Sequence, residues 1–266
     1  MGASAATTFD FESTSDSRVG RVRKVNEDSV LEATQNCLWV VADGMGGHAA
    51  GDFASQTVVA AMDSLGDAAS YQDLHHQVVD RLSLANHKIQ THAETLGRGS
   101  IGSTVVALLA YENRYLCYWS GDSRAYLQRG ESIRQVTKDH TEVQALLDAG
   151  TITPTQAVTW PRRNVITRAL GVTLDPEVEM IEGHLQDRDL FLLCSDGLTE
   201  YFDIEEQSQV LTMREWDLAA KCRFLVSQAV ERGGKDNVSV ILVRAKENGR
   251  PEIEIDGHNF EIEGQL

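Results

Sequence analysis

Three apolar runs of the 266-residue chain end in an aspartate that turns on glycine or serine. CLWVVAD closes on Asp43 and Gly44, RYLCYWSGD on Asp122 and Ser123, and LFLLCSD on Asp196 and Gly197. A fourth acid, Asp236, stands just ahead of the run NVSVILV. A buried strand delivers whatever follows its last apolar residue to one edge of its sheet, so acids placed this way can converge from remote parts of a chain. A buried carboxylate without a partner is costly, and such groups neutralise, pair or bind a cation. Of the four, only Asp236 follows a base, Lys235. The simplest chemistry for this set is an all-oxygen metal site. Carboxylates without histidine or thiolate suit hard ions, Mg2+ or Mn2+, and the missing side chain of Gly44 lets a backbone carbonyl approach one. Two such ions about 3.5–4 Å apart, bridged by one carboxylate, would activate a water for in-line attack on phosphorus. An arginine beside them would grip the phosphoryl oxygens in a forked way that lysine cannot match.

The elements that must position these acids can be read from apolar spacing. Residues 1–17 are small and polar and read as a frayed, flexible N-terminus. Residues 37–42 form a buried strand, and the glycine-rich turn after it opens a helix over 52–65. A second helix spans 71–96, with Leu74, Val78, Leu82, Ala85 and Ile89 on one face. Strands follow over 103–110, 114–119 and 125–128, with YENRY and QRGES as hairpin turns. Residues 139–171 form a partly independent insertion, or flap, containing a helix over 142–149 and a basic patch at Arg162, Arg163 and Arg168. Strands at 177–181 and 189–194, a helix over 215–232 ended by Gly233 and Gly234, and a last strand over 237–244 complete the domain. This order, with hairpins rather than strand–helix alternation, points to an α+β fold of antiparallel sheets with helices packed outside. The tail 246–266 alternates apolar and acidic residues around Asp256 and Gly257, and reads as an extra hairpin or an acidic interaction tail.

The formal charge of −16 disfavours nucleic acid and anionic membranes as partners. The N-terminus lacks the features of a signal peptide, and no apolar stretch reaches the length of a membrane span. The expectation is a soluble, cytoplasmic monomer. The four cysteines, Cys37, Cys117, Cys194 and Cys222, show no metal-ligand spacing and read as small hydrophobes in a reducing compartment.

Eight ordered motifs then carry a resemblance: RKVNED (23–28), VVADGMGGH (40–48), GST (102–104), GDSRAYL (121–127), TKDH (137–140), NVITRALG (164–171), LLCSDGLTE (192–200) and GGKDNVSVILV (233–243). Over residues 18–245 the chain resembles the PPM, or PP2C-type, metal-dependent protein phosphatases in their compact bacterial form. The resemblance implies an α-β-β-α sandwich of two antiparallel sheets flanked by helix pairs, with two core Mn2+ or Mg2+ ions and a weaker third at the sheet edges. It implies Asp43 as the bridging carboxylate, the Gly44 carbonyl completing one sphere, and Asp196 and Asp236 as ligands of the first ion. Glu27 matches the acid that holds the second ion through water, Asp122 the ligand of the third, and Arg23 the catalytic arginine that grips the substrate phosphate. Asp28 reads as an outer hydrogen-bond partner, and residues 139–171 match the flap beside the cleft. The implied activity is hydrolysis of phosphoserine and phosphothreonine in proteins by a metal-activated water, opposing a bacterial Ser/Thr kinase that is itself a candidate partner.

Two positions depart from the family pattern. Met45 stands where many eukaryotic relatives carry a histidine general acid, leaving a water at the metal as the candidate, and His48 reads as structural. Trp160 before Pro161 stands where bacterial relatives often have histidine. A catalytically dead binding module is disfavoured by the intact acid set, and a nuclease by the charge.

Overall fold

The computed structural model describes residues 9–47, 50–97 and 101–248. Two antiparallel sheets stack face to face. In the first, the order is β1 (Phe9–Arg18), β11 (Val238–Glu247), β10 (Leu190–Cys194), β7 (Arg124–Arg129) and β8 (Ser132–Gln135). In the second it is β2 (Asp28–Ala33), β3 (Leu38–Met45), β5 (Val105–Tyr111), β6 (Arg114–Ser120) and β9 (Glu179–His184), with the short β4 (Gly102–Ser103) also paired to β3. Helices α1 (Ala50–Asp63) and α2 (Tyr71–Thr95) cover the second sheet, while α6 (Ile204–Thr212) and α7 (Leu218–Arg232) cover the first. This is the α-β-β-α sandwich the motifs implied.

The period-2 alternation of the strands accounts for the layering. Along β3, Val40 and Ala42 face the α1–α2 layer while Trp39 and Val41 face the opposite sheet. Along β11, Val240 and Leu242 meet α7 while Ile241 and Val243 enter the layer between the sheets. Strands buried on both faces therefore read as continuous apolar runs, and each fully buried aliphatic side chain contributes about 1.5–3 kcal/mol. The long helices have clear starts: Ser70 caps α2 through the Asp73 N–H, and Asp217 caps α7 through the Ala220 N–H.

Several expectations need correction. Phe9–Arg18 is not frayed: it is the edge strand β1, paired with β11 from Phe9 opposite Glu247 to Arg18 opposite Val238. Its serines, threonine and acids suit an edge strand with partly exposed faces, and only Phe9 and Phe11 supply apolar anchors, Phe11 lying 5.1 Å from the Trp39 ring. That sparse apolar content hid the strand. Strand β8 and helix α6 were also unread, and β11 extends to Glu247, so the first two residues assigned to the tail belong to the sheet. The rest of the proposed tail hairpin, from residue 249, lies outside the described residues.

The segment 139–171 contains α3 (Glu142–Asp148) and α4 (Pro154–Val158) and is tied down by bridges between Thr141 and Ile166 and between Ser103 and Leu170. Its arginines do not form a free basic patch. Arg162 pairs with Glu142 (2.9 Å), Arg163 with Glu200 (3.2 Å), and Arg168 with Glu177 and Glu179 (2.8 and 2.6 Å).

Candidate metal and phosphate site

Antiparallel pairing brings strand ends and strand starts to one edge. Asp43, near the end of β3, lies directly opposite Asp28, the first residue of β2. Asp196 opens the short helix α5 (Asp196–Thr199) just after β10, and Asp236 precedes β11, the neighbour of β10 in its sheet. Asp122 follows β6 across a turn at Gly121, whose φ of +111° favours glycine. Acids from both sheets thus arrive at the same end of the sandwich.

Close backbone packing fixes these turns. A Cβ on Gly197 would sit 1.9 Å from the Asn237 carbonyl oxygen, and one on Gly44 would sit 2.0 Å from the Gly51 carbonyl oxygen and 2.6 Å from that of Glu27. The two Asp-Gly pairs therefore need glycine because another stretch of backbone passes against each of them. The loop carrying Arg23 and Glu27 is stitched down by Asn237. Its Nδ2 donates to the Val19 and Val25 carbonyls (2.9 and 3.0 Å), and its Oδ1 accepts the Glu27 N–H (2.8 Å).

Each acid feels the others. Burial, then the charges of Asp28, Asp196, Asp122 and Asp236, hold the Asp43 carboxyl well above the usual carboxylate range. Burial pushes Asp196 up to about 6, aided by the charge of Asp236, while a hydrogen bond with Asp43 works the other way. Burial lifts Asp122 to about 8, with Asp196 and Asp139 adding to it. Asp28 rises to about 7, mainly through burial, although its Oδ2 accepts hydrogen bonds from Ser239 Oγ (2.6 Å) and Ser195 Oγ (2.8 Å). Buried Glu27 Oε1, Asp28 Oδ1 and Asp122 Oδ1 have no hydrogen-bond partner. Among the described residues no three acids close into a ready coordination shell; they take serines, Arg23 and one another as partners instead.

Arg23, rather than Arg21 or Lys24, turns toward the acids. Its Nη2 lies 2.6 Å from Asp236 Oδ2 and its Nη1 4.0 Å from Glu27 Oε2, while almost half of the side chain stays exposed. Hydrogen bonding to Asp236 raises the Arg23 pKa further. Lys235, the base adjacent to Asp236 in sequence, points away to Glu200 at 3.0 Å. Beside the acids a cleft of about 240 Å³ is lined by Asp122, Arg124 and Asp196 on one hand and by Asp139, Arg163 and Asn164 of the 139–171 segment on the other. The structure therefore brings together Asp43, Asp122, Asp196, Asp236 and Glu27, with Gly44 beside them and Arg23 at the rim. His48 lies outside the described residues.

A family profile described as protein phosphatase 2C matches residues 20–232. The chain belongs to the protein phosphatase 2C family. It is 40% identical over 225 residues to the serine/threonine protein phosphatase PstP of Mycobacterium tuberculosis, covering 84% of this chain but only 43% of that protein. It is 35% identical to the serine/threonine phosphatase Stp of Listeria monocytogenes, covering 84% of this chain and 92% of that one. Among solved structures it is similar to PppA of Pseudomonas aeruginosa, with a TM-score of 0.82, 41% identity and coverage of 88% and 97%. It is also similar to the PstP catalytic domain in complex with two manganese ions, with a TM-score of 0.78, 36% identity and coverage of 90% and 99%.

Within this PP2C-family chain, four supporting residues escaped the sequence reading. Ser195 and Ser239 were hydroxyls inside apolar runs, a signal that something polar is buried opposite them. Asn237 was read only as part of a strand entry, yet it organises the whole Arg23–Glu27 loop. Arg124 forms a forked pair with Asp139, its Nε and Nη2 lying 2.6–3.0 Å from the carboxylate, and so joins the GDSR and TKDH motifs across the cleft.

Proposed function

We propose that this protein hydrolyses phosphoserine and phosphothreonine in other proteins through direct attack by water. The single observation that carries the reading is the convergence of Asp43, Asp122, Asp196 and Asp236 beside Arg23 at one sandwich edge. The residues fit divalent cations. The donor set is all oxygen, which suits Mn2+ or Mg2+, and buried oxygens of Glu27, Asp28 and Asp122 are without partners. Asp43, the Gly44 carbonyl, Asp196 and Asp236 would hold two core ions, with Glu27 supporting the second and Asp122 holding a weaker third. Bound there, such ions supply Lewis-acid activation of the water nucleophile.

The protein's own groups do the rest. Asp28, anchored by Ser195 and Ser239, props the β2–β3 pair that carries Asp43. Arg23 spends one nitrogen on Asp236 and keeps donors for the phosphoryl oxygens, orienting phosphorus in line with the attacking water. The 139–171 segment walls the cleft and would meet the substrate polypeptide, with Trp160 held to Glu142 within it. Three of the four cysteines are poor nucleophiles: burial pushes the Cys117, Cys194 and Cys222 thiols up to about 12. A thiolate is the reactive form, so a phosphocysteine route is disfavoured.

The partners would be phosphorylated proteins in the cytoplasm, including the kinase whose work the enzyme reverses, and the enzyme would act as a monomer. Among the described residues no helix is long and apolar enough to cross a membrane. The test is phosphate release with Mn2+ from a phosphothreonine peptide beside a phosphodiester. Release from the peptide alone, abolished by EDTA, is expected; preferential diester cleavage would replace the reading with a nuclease.

A further inference from the structure

The far end of the first sheet carries a second concavity. β10 runs from Leu190, in that concavity, to Cys194, near the acid site, and β11 runs from Val238 by the acids to Glu247 beside the concavity. It encloses about 1300 Å³ between this sheet end and α6, with Ile133, Leu190, Leu211 and Trp216 among its walls.

Its charge is unlike that of the rest of the chain. Five basic side chains, Arg214, Lys221 and Arg244 among them, line it against four acids, in a protein with a formal charge of −16, and Arg244 is paired with Glu12. Arg214 is exposed and makes no ion pair among the described residues. Lys221 is only 3% exposed, yet the partner of its ammonium is a backbone carbonyl, that of Leu211 at 2.6 Å. Gln128, 6% exposed, lines the same groove, and its Oε1 is buried without a hydrogen-bond partner. A buried ammonium bonded to a backbone carbonyl and an orphaned amide oxygen together suit a ligand with carboxylates and N–H donors, that is, an acidic peptide.

Such a peptide begins where the described chain leaves the groove. After β11 ends at Glu247, itself a groove residue, the sequence continues PEIEIDGHNFEIE over 251–263. With the chain reversing at Asp256 and Gly257, alternation puts Ile253, Ile255, Phe260 and Ile262 on one face of the hairpin and Glu252, Glu254, Glu261 and Glu263 on the other. Its tether to the end of β11 gives the segment a high effective concentration at the groove.

We propose that residues 251–263 of this chain dock in the α6 groove, the apolar face against Ile133, Leu190 and Trp216 and the acids toward Arg214 and Lys221. The docked tail sits at the opposite end of the sheet from the acid site, so it completes the fold's surface without entering the chemistry.

Hydrogen–deuterium exchange of the full chain tests this, comparing the native sequence with the triple variant Ile253→Ser, Ile255→Ser, Phe260→Ser. Peptides covering 204–216 should exchange several-fold faster in the variant, while those covering 71–95 stay unchanged. The single variant Arg214→Glu should reproduce the loss. Aryl phosphate hydrolysis should be equal in all three proteins, and the exchange result stands whatever that assay shows about the enzyme reading. Identical exchange in native and triple-variant chains would overturn the docking. Protection that grows with protein concentration would also overturn it, assigning the groove to the tail of a second copy.

Discussion

Arg23 and Asp236 are 213 positions apart in the chain, and their side chains meet at 2.6 Å. The same guanidinium reaches toward Glu27 at 4.0 Å. One cation therefore spans the loop after β1 and the turn before β11, poised between an acidic cluster behind it and solvent in front.

This pairing gives the first prediction. Arg23→Ala should lower kcat/KM for a phosphopeptide by about 10–100-fold, the worth of a charge-assisted hydrogen bond of roughly 1.5–3 kcal/mol. Arg23→Lys should recover only part of the loss, since an ammonium cannot fork. Stability should change by less than about 1 kcal/mol because the side chain is half exposed. Steady-state kinetics beside urea melts check both; unchanged kcat/KM in Arg23→Ala would remove Arg23 from substrate binding.

A second prediction concerns the serines beneath the site. Ser195 and Ser239 both donate to Asp28 Oδ2, whose residue faces Asp43 across β2–β3. Replacing either with alanine should cost about 1–3 kcal/mol of stability, because a buried carboxylate oxygen loses a donor. The double variant should weaken Mn2+ binding by about 10–100-fold, the usual toll for removing an outer hydrogen-bond partner of a ligand set. Titration calorimetry and urea melts measure these; native Mn2+ affinity in the double variant would show that Asp28 does not shape the site.

What was legible in the sequence and what was not follow one physical division. Strands buried on both faces, such as Leu38–Met45 and Leu190–Cys194, announce themselves as apolar runs, and the acids at their ends inherit that clarity. The edge strand Phe9–Arg18 did not, because an exposed edge tolerates serine, threonine and acid where a core strand does not. Nor could spacing disclose tertiary partners. Lys235 stood next to Asp236 yet serves Glu200, and three arginines that looked like a patch are each committed to a glutamate. Asn237 was visible as a letter, but its bonds to Val19, Val25 and Glu27 exist only once the chain has closed.

A third prediction is the pH dependence of stability with metal chelated. Burial and neighbouring charge push Asp196, Asp28 and Asp122 up to about 6, 7 and 8 in the fold, from the ordinary carboxylate value of 3.8. The folded state holds more protons than the unfolded chain throughout that interval, so stability falls as pH rises. The contribution is complete below about 4 and lost progressively up to about 8. In EDTA, the melting temperature should therefore decline from about pH 5 to about pH 8, and saturating Mn2+ should remove the decline by taking the place of the protons. A melting temperature that is flat or rising over this range in EDTA would contradict the clustering of these acids.

The most direct test of the central claim is Mn2+ titration of the Asp43→Asn protein, read by calorimetry and by phosphate release from a phosphothreonine peptide in the same preparation. With a native melting profile, the variant should bind Mn2+ far more weakly and turn over at least about 100-fold more slowly than the native chain. Native affinity and native turnover in a folded Asp43→Asn protein would contradict the account, because the carboxylate at its centre would then hold nothing.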